Sequence, residues 1–302
     1  MNIEQAKKIP LSVILDKMQR TPQRKKGKNW SYLSVLRDEK HPSLWIDIEN
    51  NFWWDYGDTK WKAGDGIKLV RGYLEFFNEN SEVSDALRWL RNMVGGNTNI
   101  QPIERQSTND NSDTLVFKSS GKIQKPGLIK YGESRGVTEQ VMAEHLKEVS
   151  VLNNNTGKTI FALGMENLSK GHELRNPFFK GCVGKKDISF IRGTTAKPPG
   201  VHVFEGFMDY LTVITQRNNE NLEDDAIILH SLSNLRKATP YIRNYGYKTC
   251  YTWMDNDEPG HRATQAWADF CKNEQELMHI PMNEGYAEHI DVNAHHMVKL
   301  GL

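Results

Sequence analysis

The 302-residue chain has only three cysteines, Cys182, Cys250 and Cys271, and no two of them form a Cys-x-x-Cys pair. Such sparse spacing argues against a disulfide scaffold or a cysteine zinc site and suits a reducing compartment. Charge of one sign is also missing: 39 Lys and Arg stand against 38 Asp and Glu, a net +1. No global attraction to nucleic acid or to a membrane surface follows, although a local basic cluster can still hold phosphate. No run of about 18 apolar residues occurs and the N-terminus has no apolar signal core, so the expectation is a soluble, cytoplasmic protein with no membrane partner. No repeat at a solenoid period is visible. The length allows two or three modest domains, each able to bury a core.

Along the chain, Ile3, Ile9, Leu11, Ile14, Leu15 and Met18 predict a short amphipathic helix over 3–18. A basic run follows, with Arg24, Lys25 and Lys26 its centre, suited to nucleic-acid phosphates or simply to water. Leu44, Ile46 and Ile48 alternate with Trp45, Asp47 and Glu49, which predicts a half-buried strand with Trp45 on its polar face, where an indole can stack on a base. Residues 52–56 predict its hairpin partner, turned at Glu49-Asn50-Asn51, and the other rings of this region are expected to fill a small β-module. Helices are predicted over 67–77 and 83–93. Gly, Asn, Gln, Ser, Thr and Asp dominate residues 95–125, which predicts a flexible linker. Beyond it come a helix over 138–145, strands over 149–152 and 159–164, and an irregular segment, 174–193. That segment carries Arg175, Lys180, Lys185, Lys186 and Arg192 with interleaved Phe residues, suited to tracking a phosphate backbone.

The chemistry concentrates in residues 201–260. The apolar run Val201–Phe204 stops at Glu205-Gly206, with Asp209 close behind, and Tyr251–Met254 stops at Asp255-Asn256-Asp257. Between them a helical pattern, the run 226–229 and a second helical pattern alternate, as in a parallel sheet with crossover helices. The carboxyl ends of such strands share one edge, where open α/β sheets bind ligands, so Glu205, Asp255 and Asp257 are expected to converge. Paired carboxylates suit a hard divalent cation. An EF-hand loop does not fit, because its fifth position would be Pro259 and its twelfth Ala266. Capping the helix that begins near Gly260 would explain one carboxylate but not Glu205.

These motifs closely resemble the Toprim domain of bacterial primases, topoisomerases and related nucleases. Glu205-Gly206-Phe207-Met208-Asp209 looks like its glutamate motif, and Asp255-Asn256-Asp257-Glu258-Pro259-Gly260 like its Asp-x-Asp motif followed by Gly. Asp291-Val292-Asn293 resembles the third acidic spot of DnaG-type primases, with Asn293 in place of an acid. Arg135-Gly136-Val137 and segment 174–193 look like the primase N-terminal catalytic subdomain. Glu39-Lys40-His41-Pro42-Ser43, with the hairpin after it, resembles the primase zinc-binding module, but the positions of its Cys, His, Cys and Cys ligands hold Ser34, Arg37, Asp55 and Asp58. Ser and Arg are not zinc ligands. The expectation is a zinc-less relic held by its aromatics and by Arg37 pairing with Asp55 or Asp58.

The resemblance implies an α/β fold: a Toprim parallel sheet flanked by helices, preceded by a basic α+β subdomain and a small zinc-ribbon-like β-module. The implied domains are a degenerate zinc-finger-like module (1–94), the linker (95–125), a primase-like N-terminal catalytic subdomain (126–198) and the Toprim domain (199–302). The implied activity is synthesis of short RNA primers from ribonucleoside triphosphates on single-stranded DNA, with Mg²⁺ or Mn²⁺ and without zinc. Asp255 and Asp257 are the principal expected metal ligands, Asp209 and Asp291 support them, and Glu205 is a ligand or the general base. A replicative helicase or mobilisation proteins are the implied protein partners. The missing zinc ligands and short C-terminal part point weakly to a mobile element. A Toprim metal-dependent nuclease and a non-catalytic DNA-binding accessory protein are the alternatives.

Overall fold

The computed structural model describes residues 1–77, 79–95, 114–274 and 276–302. The described chain divides into two compact units, one from Met1–Thr98 with Arg243–Tyr245, the other from Asn99–Ile242 and Gly246–Leu302.

The first unit begins with α1 (Ile3–Lys7) and α2 (Leu11–Lys17) in place of the single helix expected over 3–18. Pro10 separates them, because its ring disfavours helical backbone in the residue before it, and Pro10 itself is extended at the start of α2. An antiparallel sheet follows in sequence order: β1 (Arg24–Lys26), β2 (Asn29–Tyr32), β3 (Leu44–Asp47), β4 (Phe52–Asp55) and β5 (Ala63–Gly64). The basic run is therefore an exposed edge strand, not a loop. The β3–β4 hairpin turns where the alternation predicts, with the Asp47 carboxylate accepting the N–H groups of Glu49 and Asn50 at 3.0 Å each. Tyr32, Leu44, Ile46 and Trp53 form the buried face, packed with α2, α3 (Gly66–Phe76) and α4 (Val83–Gly95). Trp53 is fully buried and its indole N–H donates to the Asp65 carbonyl, 2.8 Å away, so this ring leaves no orphaned donor.

The four positions matching primase zinc ligands meet in this unit. Asp55 is buried, and its carboxylate accepts from Ser34 Oγ and from Arg37 Nη2, both at 2.7 Å, and from the Gly57 N–H at 2.8 Å. Arg37 also binds Glu39, at 2.8 Å, and lies 3.6 Å from Asp58. A Cβ on Gly57 would come 2.1 Å from Arg37 Nη2, so the guanidinium occupies space that only glycine leaves open. Burial works to raise the Asp55 carboxyl, but Arg37, Ser34, Gly57 and Ser43 together hold it below its ordinary value. The loops that a metal would tie together are tied here by an ion pair and its hydrogen bonds.

The second unit opens with β6 (Leu115–Gly121), an edge strand paired to β7 (Lys147–Asn153). The expected linker over 95–125 is corrected at this end: backbone pairing to β7 orders a segment whose exposed polar side chains mimic linker composition. The expectation for 96–113 lies outside the described residues. Between β6 and β7 come α5 (Pro126–Ser134) and α6 (Glu139–His145); after β7 come β8 (Lys158–Glu166), β9 (His172–Asn176) and β10 (Phe179–Val183). These strands form an antiparallel sheet ordered β10-β9-β8-β7-β6. The segment expected to be irregular over 174–193 is thus largely a hairpin, β9–β10, followed by β11 (Ser189–Ile191). Two short strands, with the single Gly181 breaking the apolar face of Leu174, Phe179 and Val183, obscured the alternation.

Next come β12 (Gly200–Phe204), α7 (Phe207–Gln216), β13 (Asp225–Ile228), α8 (Leu235–Ile242), β14 (Thr249–Trp253), α9 (Glu258–Lys272), β15 (Met278–Pro281) and α10 (Val292–Leu300). The third sheet is ordered β11-β13-β12-β14-β15; β12 to β15 are parallel and β11 antiparallel. The expected α/β architecture is therefore present. The 198/199 border is not a packing border, since β11 pairs into the third sheet and Leu128, Val141 and Met142 share one core with Phe204, Leu211 and Ile214. Among the described residues no helix is long and apolar enough to cross a membrane.

Arg37→Ala leaves the Asp55 carboxylate buried without its cation, and urea titration of the full chain should show the first unit destabilised by about 2–4 kcal/mol. Because the folded Asp55 pKa lies below its unfolded value of about 3.9, its contribution is complete above that pH and is lost as pH falls through the folded value. Acid unfolding of the first unit should thus begin below about pH 4 in the native chain and lose this component in Asp55→Asn.

Candidate active site at the carboxyl edge of the parallel sheet

Strand register sets up the site. Phe204 is level with both Ile228 and Trp253, so the residues that follow β12, β13 and β14 emerge together at one edge. Three helices also begin there. α7 starts beyond Glu205-Gly206, α9 is capped by Asp257, and α10 is capped by Asp291. Their N-termini direct partial positive charge and free N–H groups at the carboxylates.

Asp209, in the first turn of α7, is the buried centre of this arrangement. Its Oδ2 accepts the Gly206 N–H at 3.2 Å, while Oδ1 is buried without a hydrogen-bond partner. Burial raises its pKa well above the ordinary aspartate value, and Asp291, Asp255 and Glu205 push in the same direction, with only Arg175 opposing. Three of the other four expected metal ligands, Asp291, Asp255 and Glu205, therefore act on Asp209. The Tyr286 hydroxyl senses the same group: burial first, then Asp209, Asp255, Asp291 and Glu205, raises its pKa, while its O–H donates to the Met254 carbonyl at 3.0 Å.

Glu205 is buried, and its Oε2 accepts the Asp255 N–H at 3.3 Å, which joins the ends of β12 and β14. Asp257 caps α9 through a 2.8 Å bond from the Gly260 N–H, and Asp291 caps α10 through a 2.6 Å bond from the Ala294 N–H. Capping and site membership are compatible, because one carboxylate oxygen can serve the helix while the other faces the edge. Gly260 is required by close approach, since a Cβ there would lie 1.9 Å from the Asp255 carbonyl oxygen. Asn293, at the position where the resemblance expects an acid, is turned into the core: its Nδ2 donates to the Arg135 carbonyl and to Thr212 Oγ1, at 2.8 Å each.

Asn256, between the two aspartates, was not singled out by sequence. Its backbone N–H donates to the Ile290 carbonyl at 2.6 Å, and its side-chain Nδ2 faces the carbonyls of Asn283, Tyr286 and His289 at 2.9–3.2 Å. Asn283 Nδ2 returns a bond to Asn256 Oδ1 at 3.0 Å. One residue thus ties the Asp-x-Asp turn to the segment leading into Asp291. His230 was also missed. It lies beyond β13 with a left-handed φ of 60°, reaches Ser189 Oγ at 2.8 Å, and burial, helped by Arg175, lowers its pKa to about 3, which keeps it neutral at ordinary pH.

The expected cations differ in situation. Arg175 on β9 faces Lys180 across the hairpin, and it is the cation that acts on Asp209. Lys185 and Lys186 follow β10, and the Lys186 carbonyl accepts from Lys237 Nζ at 2.7 Å. Arg192 is engaged inward, its Nη1 2.7 Å from the fully buried Asp225. In the first unit, Arg24, Lys25 and Lys26 are exposed on β1, with Lys25 Nζ 4.1 Å from the centre of the Trp30 ring. Trp45 lies half-buried on the outer sheet face, stacked on Trp54 with ring centres 6.4 Å apart.

All donors at the acidic edge are oxygens, and Asp209 Oδ1 is a buried oxygen with no partner, which suits a hard divalent cation. Among the described residues no three His, Cys, Asp or Glu side chains already form a metal-holding group. The set fits an ion held by one or two carboxylates and completed by water and phosphate oxygens, the usual habit of Mg²⁺.

Residues 202–294 match the family described as Toprim-like, so this sheet and its helices are a Toprim-like domain. Residues 117–184 match a domain of unknown function, DUF8464, which spans most of the preceding antiparallel sheet. No curated protein matches the chain in sequence. Solved structures similar to it include the zinc-binding and RNA polymerase domains of the Aquifex aeolicus primase, at 13% identity over 94% of this chain and 82% of that one, with a TM-score of 0.36. The primase fragment of the bacteriophage T7 primase-helicase protein is 16% identical over 60% of this chain and 78% of that one, TM-score 0.38. A bacteriophage T7 lagging-strand DNA polymerase structure, described as interacting with primase domains of two gp4 subunits bound to an RNA/DNA hybrid and dTTP, gives 15%, 60%, 87% and 0.42.

Two outcomes are expected. Asp209→Asn removes a buried source of repulsion, so the metal-free protein should melt at a higher temperature than the native chain while losing any upward shift on adding Mg²⁺; scanning calorimetry reads both. Asn256→Ala deprives three carbonyls of their donor, and denaturant titration should show a loss of about 1–3 kcal/mol with weaker Mn²⁺ binding.

Proposed function

We propose that this protein is a primase-type nucleotidyltransferase that makes short RNA on a single-stranded DNA template from ribonucleoside triphosphates. The observation that carries the reading is a buried Asp209 in a Toprim-like domain, with one carboxylate oxygen unpartnered and its pKa raised by burial and by Asp291, Asp255 and Glu205. Burial and these neighbours favour protonated Asp209, and a bound cation would relieve the same repulsion. Mg²⁺ or Mn²⁺, when bound, would neutralise charge on the transferring phosphoryl group and align the displacement.

The chain's own residues supply the rest. Asp255 and Asp257 are the principal ligands in this reading, with Asp209 and Asp291 supporting them and the Asn256 clamp holding the turn in register with Asp291. Glu205 is a further ligand or takes the proton of the attacking 3′-hydroxyl. Arg175, Lys180, Lys185 and Lys186 attract template and triphosphate. Arg192 contributes by holding Asp225 at the base of the sheet. On the first unit, Arg24, Lys25, Lys26 and Trp45 offer phosphate contacts and a stacking ring to template. That unit holds its shape through Arg37 and Asp55, and no zinc is assigned to it. A replicative helicase or mobilisation protein in the cytoplasm remains the partner class, and a mobile element the setting, that this reading favours.

A second reading, a non-catalytic DNA-binding accessory protein, is favoured by the absence of a ready-made metal cage among the described residues and by the capping duties of Asp257 and Asp291. Primer synthesis on random single-stranded templates with Mg²⁺ or Mn²⁺ separates the two. The native chain should make labelled oligoribonucleotides, and Asp255→Ala or Asp257→Ala should abolish synthesis while retaining DNA binding. DNA binding without synthesis under either metal supports the accessory reading, and metal-dependent cleavage of the template supports a nuclease.

A further inference from the structure

Phe178 is 95% exposed, the most exposed of the large apolar side chains among the described residues. It occupies the second corner of the two-residue turn of the β9–β10 hairpin, since Asn176 pairs with Phe179. The neighbouring ring behaves in the opposite way. Phe179 packs against the core of the antiparallel sheet and lies over Gly181, where a Cβ would come 2.4 Å from its ring. One ring of the pair is therefore folded in and the other is left standing out.

The exposed ring is on a rigid mount. Pro177 fixes φ at the first corner of the turn. The Asn176 side chain accepts the Phe178 N–H at 2.9 Å and donates to the Phe161 carbonyl at 2.8 Å, which ties the tip to β8. Little backbone freedom remains to be lost when something binds the ring. The surroundings are cationic. Arg175 and Lys180 form the cross-strand pair one step behind Asn176 and Phe179, and Lys125 Nζ sits 3.8 Å over the half-exposed Phe161 ring. Arg175 acts on both Asp209 and His230, so this hairpin is electrostatically continuous with the acidic edge.

An isolated ring beside a cationic strand pair is poorly matched to an extended apolar protein surface. It matches a ligand with a flat apolar face and an anionic backbone. We infer that Phe178 is a base-stacking post for single-stranded DNA, with Arg175, Lys180 and Lys125 holding the flanking phosphates. Stacking on an aromatic side chain is indifferent to base identity, whereas the cations supply the salt-dependent part of affinity. The inference rests on the primase-type reading for the strand's identity as template, but stacking itself needs no catalysis.

The test uses the full chain without nucleotides, an oligodeoxythymidine carrying one 2-aminopurine, and fluorescence as the readout. The native protein should bind and change the 2-aminopurine emission. Phe178→Ala, with an unchanged circular dichroism spectrum, should bind roughly 5- to 150-fold more weakly, the range corresponding to one stacked base, and should lose the emission change. Phe178→Trp should retain both. Lys180→Ala should weaken binding and lower the salt slope by about one. If Phe178→Ala binds and perturbs the probe as the native chain does, the inference is overturned and the ring belongs to a protein contact; it is equally overturned if the native chain binds no single-stranded DNA. If binding depends on Phe178 while no primer is made, the stacking post stands and the primase reading fails.

Discussion

Like charges held close together are the constraint on which the second unit depends. Asp209 is buried beside Glu205, Asp255 and Asp291, and burial and its neighbours both favour the protonated form. A fold that brings four acids to one edge has to offset that repulsion. This one does so with three helix N-termini, with N–H bonds from Gly206 and Asp255, and with Arg175 approaching from the hairpin. These compensations remain partial, because Asp209 Oδ1 keeps no partner. A buried carboxylate oxygen left without a partner sets this edge apart from a plain set of helix caps.

The first unit solves the same problem differently. Asp55 is also a buried aspartate, but Arg37, Ser34, Ser43 and the Gly57 N–H saturate its two oxygens and hold its pKa down. One buried carboxylate is satisfied internally and ties loops together; the other keeps one oxygen without a partner.

Much of this was legible beforehand. Alternation placed β3 and β4 and their turn, and the buried runs 201–204, 226–229 and 251–254 correspond to β12, β13 and β14. What escaped were elements whose order comes from backbone pairing: β1 with its three exposed cations, β6 with its polar composition, and the β9–β10 hairpin. Their apolar content is short or lies on few positions, so local pattern could not reveal them as strands. Asn256 escaped for a related reason. An amide between two aspartates looks like turn chemistry until the carbonyls of Asn283, Tyr286 and His289 are seen around it.

By itself, the sequence determined which residue types end the buried strands, that Glu205, Asp255 and Asp257 belong to one edge, and that Ser34 and Arg37 cannot hold zinc. Those conclusions need only periodicity, spacing and ligand chemistry, which are local. Only the tertiary structure decided that Asp209 is the electrostatic centre, that Asn293 faces the core, that Arg192 is committed to Asp225, and that Phe178 stands out while Phe179 folds in. Each of these depends on burial and on partners that the chain brings together from distant positions, and neither quantity is encoded in any short stretch of residues.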